Sequence, residues 1–204
     1  MELFEIILHP REKMGSEVKK TNMEWAHKRF AIYGAIIGLL LGVGVAVLGG
    51  IIGAVAGNAA QNNLVFGLIA GLGLLAVIIM PIVMALVTLI GSYIGYGVMY
   101  LVAKVVGGTG TFEANYFLGA KLLVPMIVAN IIVSILGVIP LIGALINVAW
   151  FFYTLYLMVI LVSVANKLST MKSVVVVLLP MIIVFVLGGI IAGAALAAML
   201  ASGA

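Results

Sequence analysis

Basic residues are confined to three places in this chain. Arg11, Lys13, Lys19, Lys20, Lys28 and Arg29 lie in the opening segment, Lys104 and Lys121 stand around a central glycine-rich loop, and Lys167 and Lys172 bracket a short later loop. Between these places the sequence is almost unbroken hydrocarbon, and the alternate connections carry no Lys or Arg. Because Lys and Arg gather on cytoplasmic loops, the alternation predicts an all-α polytopic membrane helical bundle. Hydrophobic residues make up 66% of the 204 and charged residues 8%, which is more apolar surface than a water-solvated domain of this size can hide. Lipid must be the solvent.

The same distribution excludes several function classes. Six acids offset much of the basic charge, and the basic residues flank membrane segments, so the formal charge of +4 points to lipid headgroups and not to nucleic acid. With no cysteine there is no thiolate or disulfide chemistry. His9 and His27 are too few and too far apart for a histidine metal motif. The apolar stretch Ala31–Ala56 is far longer than a signal-peptide core of roughly 7–15 residues. No nucleophile has a base near it, and Glu113 is the only acid after Glu24. No enzymatic activity, metal or cofactor is expected.

Residues 1–30 form the first segment and 31–204 the membrane domain. Leu3, Phe4, Ile7 and Leu8 share a helical face before Pro10, and Met14, Val18 and Trp25 recur at helical spacing beyond it. This pattern predicts two short amphipathic helices lying in the membrane interface, with Trp25 at headgroup depth. The first span, Ala31–Ala56, places Gly34, Gly38 and Gly42 at four-residue spacing, a shallow strip on which another helix backbone can close. An uncharged loop is expected at Gly57–Asn63. The forty residues Leu64–Ala103 then carry no charge; as one helix they would reach about 60 Å, twice the ~30 Å hydrocarbon core. Charge requires an odd number of crossings here, so we expect one crossing bent near Pro81, with Leu64–Ile79 irregular. Three further spans follow, roughly Ala114–Leu136, Leu141–Ala165 and Val174–Leu200, with a tight turn at Gly137–Pro140. Five crossings put the N-terminus in the cytoplasm and the C-terminus outside.

Chemistry inside the spans is sparse. Gly107 to Gly110 lead to Thr111, Phe112 and Glu113, without the Lys-Ser/Thr that a nucleotide loop requires, so a tight turn is expected. Lys121 lies about two turns into the third span and is a candidate lipid or partner contact. It is expected to snorkel to the headgroups, and Lys121→Met to leave the fold intact. Thr88, Ser92, Tyr93, Tyr96, Asn130, Ser134, Asn147, Tyr153 and Thr154 are expected to bond between helices; lining a polar path is the alternative. No acid or histidine stands within a span to couple transport to an ion.

Several ordered features between about 102 and 180 resemble the Yip domain family of five-span membrane proteins, named for interaction with Rab-type GTPases. Gly107, Gly108, Gly110 and Phe112 precede a span containing Pro125. Pro140 and Gly143 frame the turn into the next span, on which Trp150, Tyr153 and Tyr156 follow, and Pro180 stands in the last. Leu8-His9-Pro10-Arg11-Glu12 is similar to the opening of prokaryotic members, which implies a prokaryotic, archaeal-type relative. Eukaryotic members act in vesicle trafficking and membrane shaping, with a longer N-terminal region and an Asp-Leu-Tyr-Gly type motif. This chain has neither, so GTPase binding is not carried over. The resemblance implies a non-enzymatic, multi-pass protein of the cell membrane that organises lipid or binds a membrane-protein partner or a second copy. A small-solute transporter or channel subunit is the alternative.

Overall fold

In an apolar solvent every backbone N–H and C=O must find its partner within the chain, and a helix satisfies them locally. The computed structural model describes residues 2–62 and 64–201, and their side chains at 4–51 and 75–199. Two short helices, α1 (Glu2–Leu8) and α2 (Pro10–Glu17), are followed by a 3-10 turn at Val18–Lys20. Long helices follow: α3 (Met23–Asn62), α4 (Leu64–Val105), α5 (Phe112–Leu136), α6 (Ile142–Asn166) and α7 (Thr170–Ala201). There is no strand among the described residues. Among the described residues, five helices are long and apolar enough to cross a membrane.

Two sequence expectations are corrected here. Helix α3 continues through Gly57 to Asn62, where a loop was expected, and Asn63 lies outside the described residues. The stretch Leu64–Ile79 is helical as part of α4, not irregular. The reason is the same in both cases. Neither stretch contains a proline, and the long apolar run offers its backbone no polar partner except its own carbonyls. Pro81, Pro125 and Pro180 all stand inside helices.

The chain divides into two units, Asn22–Gly95 and Met1–Thr21 with Tyr96–Ala204, and the boundary falls within α4. In the first unit α3 lies on α4. A Cβ added at Gly34, Gly38 or Gly42 would overlap the backbone of Met84, Met80 or Ala76 in turn, so the two main chains touch along this strip. His27, near the start of α3, stacks on Tyr93 with ring centroids 5.2 Å apart and meets its hydroxyl at 2.5 Å.

In the second unit α6 packs between α5 and α7, while α1 lies on α5 and α2 on α6. Its core is concentrated at one end. Tyr116, Leu118 and Leu122 of α5, Leu157, Ile160 and Leu161 of α6, and Val176 and Val177 of α7 are all fully buried. They line the first turns of α5 and α7 and the last turns of α6. Beyond Pro180, by contrast, α7 is exposed at every described position. Such a surface suits hydrocarbon, which solvates Leu and Ile as well as a protein interior does.

The N-terminal helices dock on the protein itself. Their apolar side is covered by the protein's own α5 and α6, with Ile6, Ile7, Pro10 and Met14 buried, while Leu8 points outward at 67% exposure. The last carbonyls of a helix lack intrahelical donors, and the docked position supplies one. The Tyr153 hydroxyl donates to the Ile7 carbonyl at 2.6 Å.

Candidate functional site

The loop between α4 and α5, residues 106–111, gathers most of the polar contacts that hold the second unit together. Helix α4 ends there in a Schellman cap. Gly108 N–H donates to the Ala103 carbonyl at 2.8 Å and Gly107 N–H to that of Lys104 at 3.0 Å. The first of the two glycines takes the position in this motif that needs a left-handed backbone, and Gly107 supplies it with φ of 91°. Thr109 N–H then donates to the Asn166 carbonyl at 3.0 Å, capping the last turn of α6. Gly110 passes so close to that helix end that a Cβ would overlap the Ala165 carbonyl and the Asn166 backbone. Thr111, extended, starts α5 and accepts from Ala114 N–H at 3.2 Å through its hydroxyl.

Side chains lock the same junction. Asn115 and Asn166, both fully buried, exchange two amide hydrogen bonds of 3.1 and 2.8 Å. Each also donates to a backbone carbonyl, Asn115 to Thr111 and Asn166 to Val162. Lys167 ends α6 in a left-handed conformation with φ of 54°, and Ser163 bonds the Leu168 carbonyl at 2.8 Å. Lys172 reaches from α7 to donate to the Val106 carbonyl at 3.0 Å. On the other side of the loop, Phe112 lies against Tyr100 and Tyr116, and the Tyr96 ring fills the space that a Cβ on Gly119 would need.

Two polar contacts fasten the N-terminal helices onto this end. Arg11 donates to Thr170 Oγ1 at 3.0 Å, and the Lys121 ammonium stands 2.8 Å from Glu17 Oε2. The second contact corrects the expectation for Lys121, which meets a carboxylate of its own chain where a headgroup was anticipated. Lys121 first, and Lys20 second, hold the Glu17 carboxyl below its ordinary range despite partial burial.

Of the residues singled out from sequence, Gly107, Gly108, Gly110 and Phe112 therefore meet at this junction, with Lys121 further along α5. Pro125 is buried within α5. Pro140 and Gly143 stand at the opposite end of α5 and α6, where a Cβ on Gly143 would overlap Gly137. Pro180 lies within α7, and Gly34, Gly38 and Gly42 belong to the other unit. Asn115, Asn166 and Glu17 were not anticipated. The sequence reads Asn166 as loop and Asn115 as an unremarkable start of a span, and nothing local marks Glu17 as the partner of a residue in a span. Among the described residues no cluster of three His, Cys, Asp or Glu could hold a metal ion. What the junction can do is fix the relative positions of α4, α5, α6, α7 and the N-terminal helices, and present lysines around a rigid loop.

A family model described as the Yip1 domain matches residues 4–193 of the chain. No curated protein matches it, and no solved structure does.

Proposed function

The chain belongs to the Yip1 domain family, and from that premise we propose that it is a non-enzymatic scaffold of the cell membrane. It holds a membrane partner or a second copy, or organises lipid, through the rigid end built around residues 106–111. That end faces the cytoplasm, together with the N-terminal helices, as the distribution of Lys and Arg favours.

One observation carries this reading: polar groups in the spans are engaged with atoms of the protein itself. Asn130 accepts from the Trp150 indole at 2.7 Å, Asn147 donates to the Gly143 carbonyl at 2.8 Å, and Ser92 to that of Leu89 at 2.9 Å. Tyr153 is bound to Ile7, and the Lys121 charge is met by Glu17. A transport path needs polar groups that exchange partners with a passing solute, whereas the Asn130–Trp150 and Tyr153–Ile7 bonds join helices and those of Ser92 and Asn147 close on their own helix, three and four residues back. The N-terminal helices, fastened by Arg11 and Glu17, make the same end a broad polar face suited to docking.

Affinity capture of the tagged protein from native membranes, analysed for both proteins and lipids, tests the proposal. A membrane protein, a second copy or a lipid class retained in constant ratio is expected. Recovery with none of these contradicts it.

A further inference from the structure

Lysines in this protein fall into two groups. Lys13 pairs with Glu5, Lys20 and Lys121 with Glu17, and Lys28 with Glu24. Lys19, on the N-terminal segment, and Lys104, Lys167 and Lys172 are exposed, and among the described residues none of the four has a carboxylate within ion-pair distance; the last three belong together. Far apart in sequence, these three are drawn around one loop. Lys104 starts the Schellman cap that Gly107 closes, Lys172 bonds the Val106 carbonyl, and Lys167 follows Asn166, whose carbonyl holds Thr109. Gly107 has no side chain to cover the Lys172 ammonium, which lies 3.6 Å from where its Cβ would stand.

All three stand at the end of an apolar helix, Lys104 in the last turn of α4, Lys167 just past α6 and Lys172 in the first turn of α7, which is headgroup depth for a spanning helix. Val105 and Met171, next to Lys104 and Lys172, are 87% and 80% exposed. Large apolar side chains so bare beside lysines suit the boundary between headgroups and acyl chains. Tyr96–Ala204 carries four lysines against a single acid, Glu113, and Lys121 is already neutralised by Glu17.

We propose that Lys104, Lys167 and Lys172 form a binding face for phosphate-bearing anionic lipid headgroups, with Val105 and Met171 set in the acyl layer beneath. The lysines donate to the headgroup oxygens, and the glycine-rich loop fixes their spacing. This face rests on the lipid arm of the scaffold reading, which uses the same end of the protein; its failure would leave capture of a protein partner or a second copy untouched.

The test uses the full chain in mixed micelles, with native mass spectrometry counting retained phosphatidylglycerol against phosphatidylcholine of equal chain length. Phosphatidylglycerol is retained preferentially by the wild type. Lys104→Gln, which leaves every backbone bond of the loop intact, weakens that binding about fivefold, and the triple Lys104→Gln, Lys167→Gln, Lys172→Gln variant on the order of a hundredfold. A Lys13→Gln, Lys20→Gln variant, whose charges are already paired, stays within about twofold of wild type. Replacing all three lysines by Arg keeps the preference, which separates lost charge from lost fold. The proposal is overturned if the wild type shows no preference, or if Lys104→Gln has no effect. It is overturned as well if the paired-lysine variant loses as much, or if inorganic phosphate displaces the lipid as readily as free phosphatidylglycerol does, which would mark a site for a free anion.

Discussion

Glu17 shows how one side chain helps hold a whole segment in place. Its carboxyl is held below the ordinary value of 4.5 by Lys121 and then Lys20, with burial opposing. A carboxyl depressed on folding contributes stability that is complete above its unfolded value and is lost as pH falls through the folded one. The N-terminal helices should therefore stay docked at neutral pH and loosen in acid, below 4.5. Hydrogen exchange at Ile6, Ile7 and Met14 reads this directly, and protection unchanged between about pH 7 and about pH 2 would contradict it. Lys121→Met should shift this loosening toward neutral pH, because it removes the stronger of the two lysine contacts that hold the Glu17 carboxyl down and leaves only Lys20. The sequence had suggested that this substitution would shift orientation or lipid preference slightly and leave the fold intact. Lys121 was visible as a charge in a span, but its partner is on another helix, and local spacing carries no information about that.

Elements were legible wherever the apolar pattern spoke for itself. Five long apolar helices follow from the runs between the basic places, and the turn before α6 from Gly137 and Pro140. Helix ends were less legible. Asn58, Gln61 and Asn62 read as a loop, yet a helix extends through them because composition alone does not break one. Amphipathic spacing in α1 and α2 told that a side is covered and not by what, and α5 and α6 cover it. The glycine-rich loop announced a turn, while its docking on α6 rests on buried asparagines that no motif flagged. For α3 we predict that Gly38→Leu, which drives a side chain into the Met80 and Pro81 backbone, destabilises by about 1–3 kcal/mol or more. Leu39→Ala, on the exposed side, should cost about 0.5 kcal/mol or less. Thermal unfolding in detergent distinguishes them, and equal tolerance would mean that the close approach of α3 and α4 does not matter to stability.

At the scale of the whole protein, the charge pattern predicts that Thr109 and Ser169, both exposed, face the same side of the membrane. Cysteines at these positions should react with an impermeant reagent only from the cytoplasmic side. A cysteine at Gln61, whose side chain lies outside the described residues, should react only from the other side, as should one at Ser202, which lies outside them altogether. Labelling of Gln61 and Thr109 from the same side would break the topology. The scaffold reading rests on spans whose polar groups are engaged internally, and reconstitution into sealed vesicles tests that most directly. We predict no ion-driven uptake and no conductance for wild-type protein. Flux abolished by Lys121→Met but retained by Lys121→Arg would contradict it.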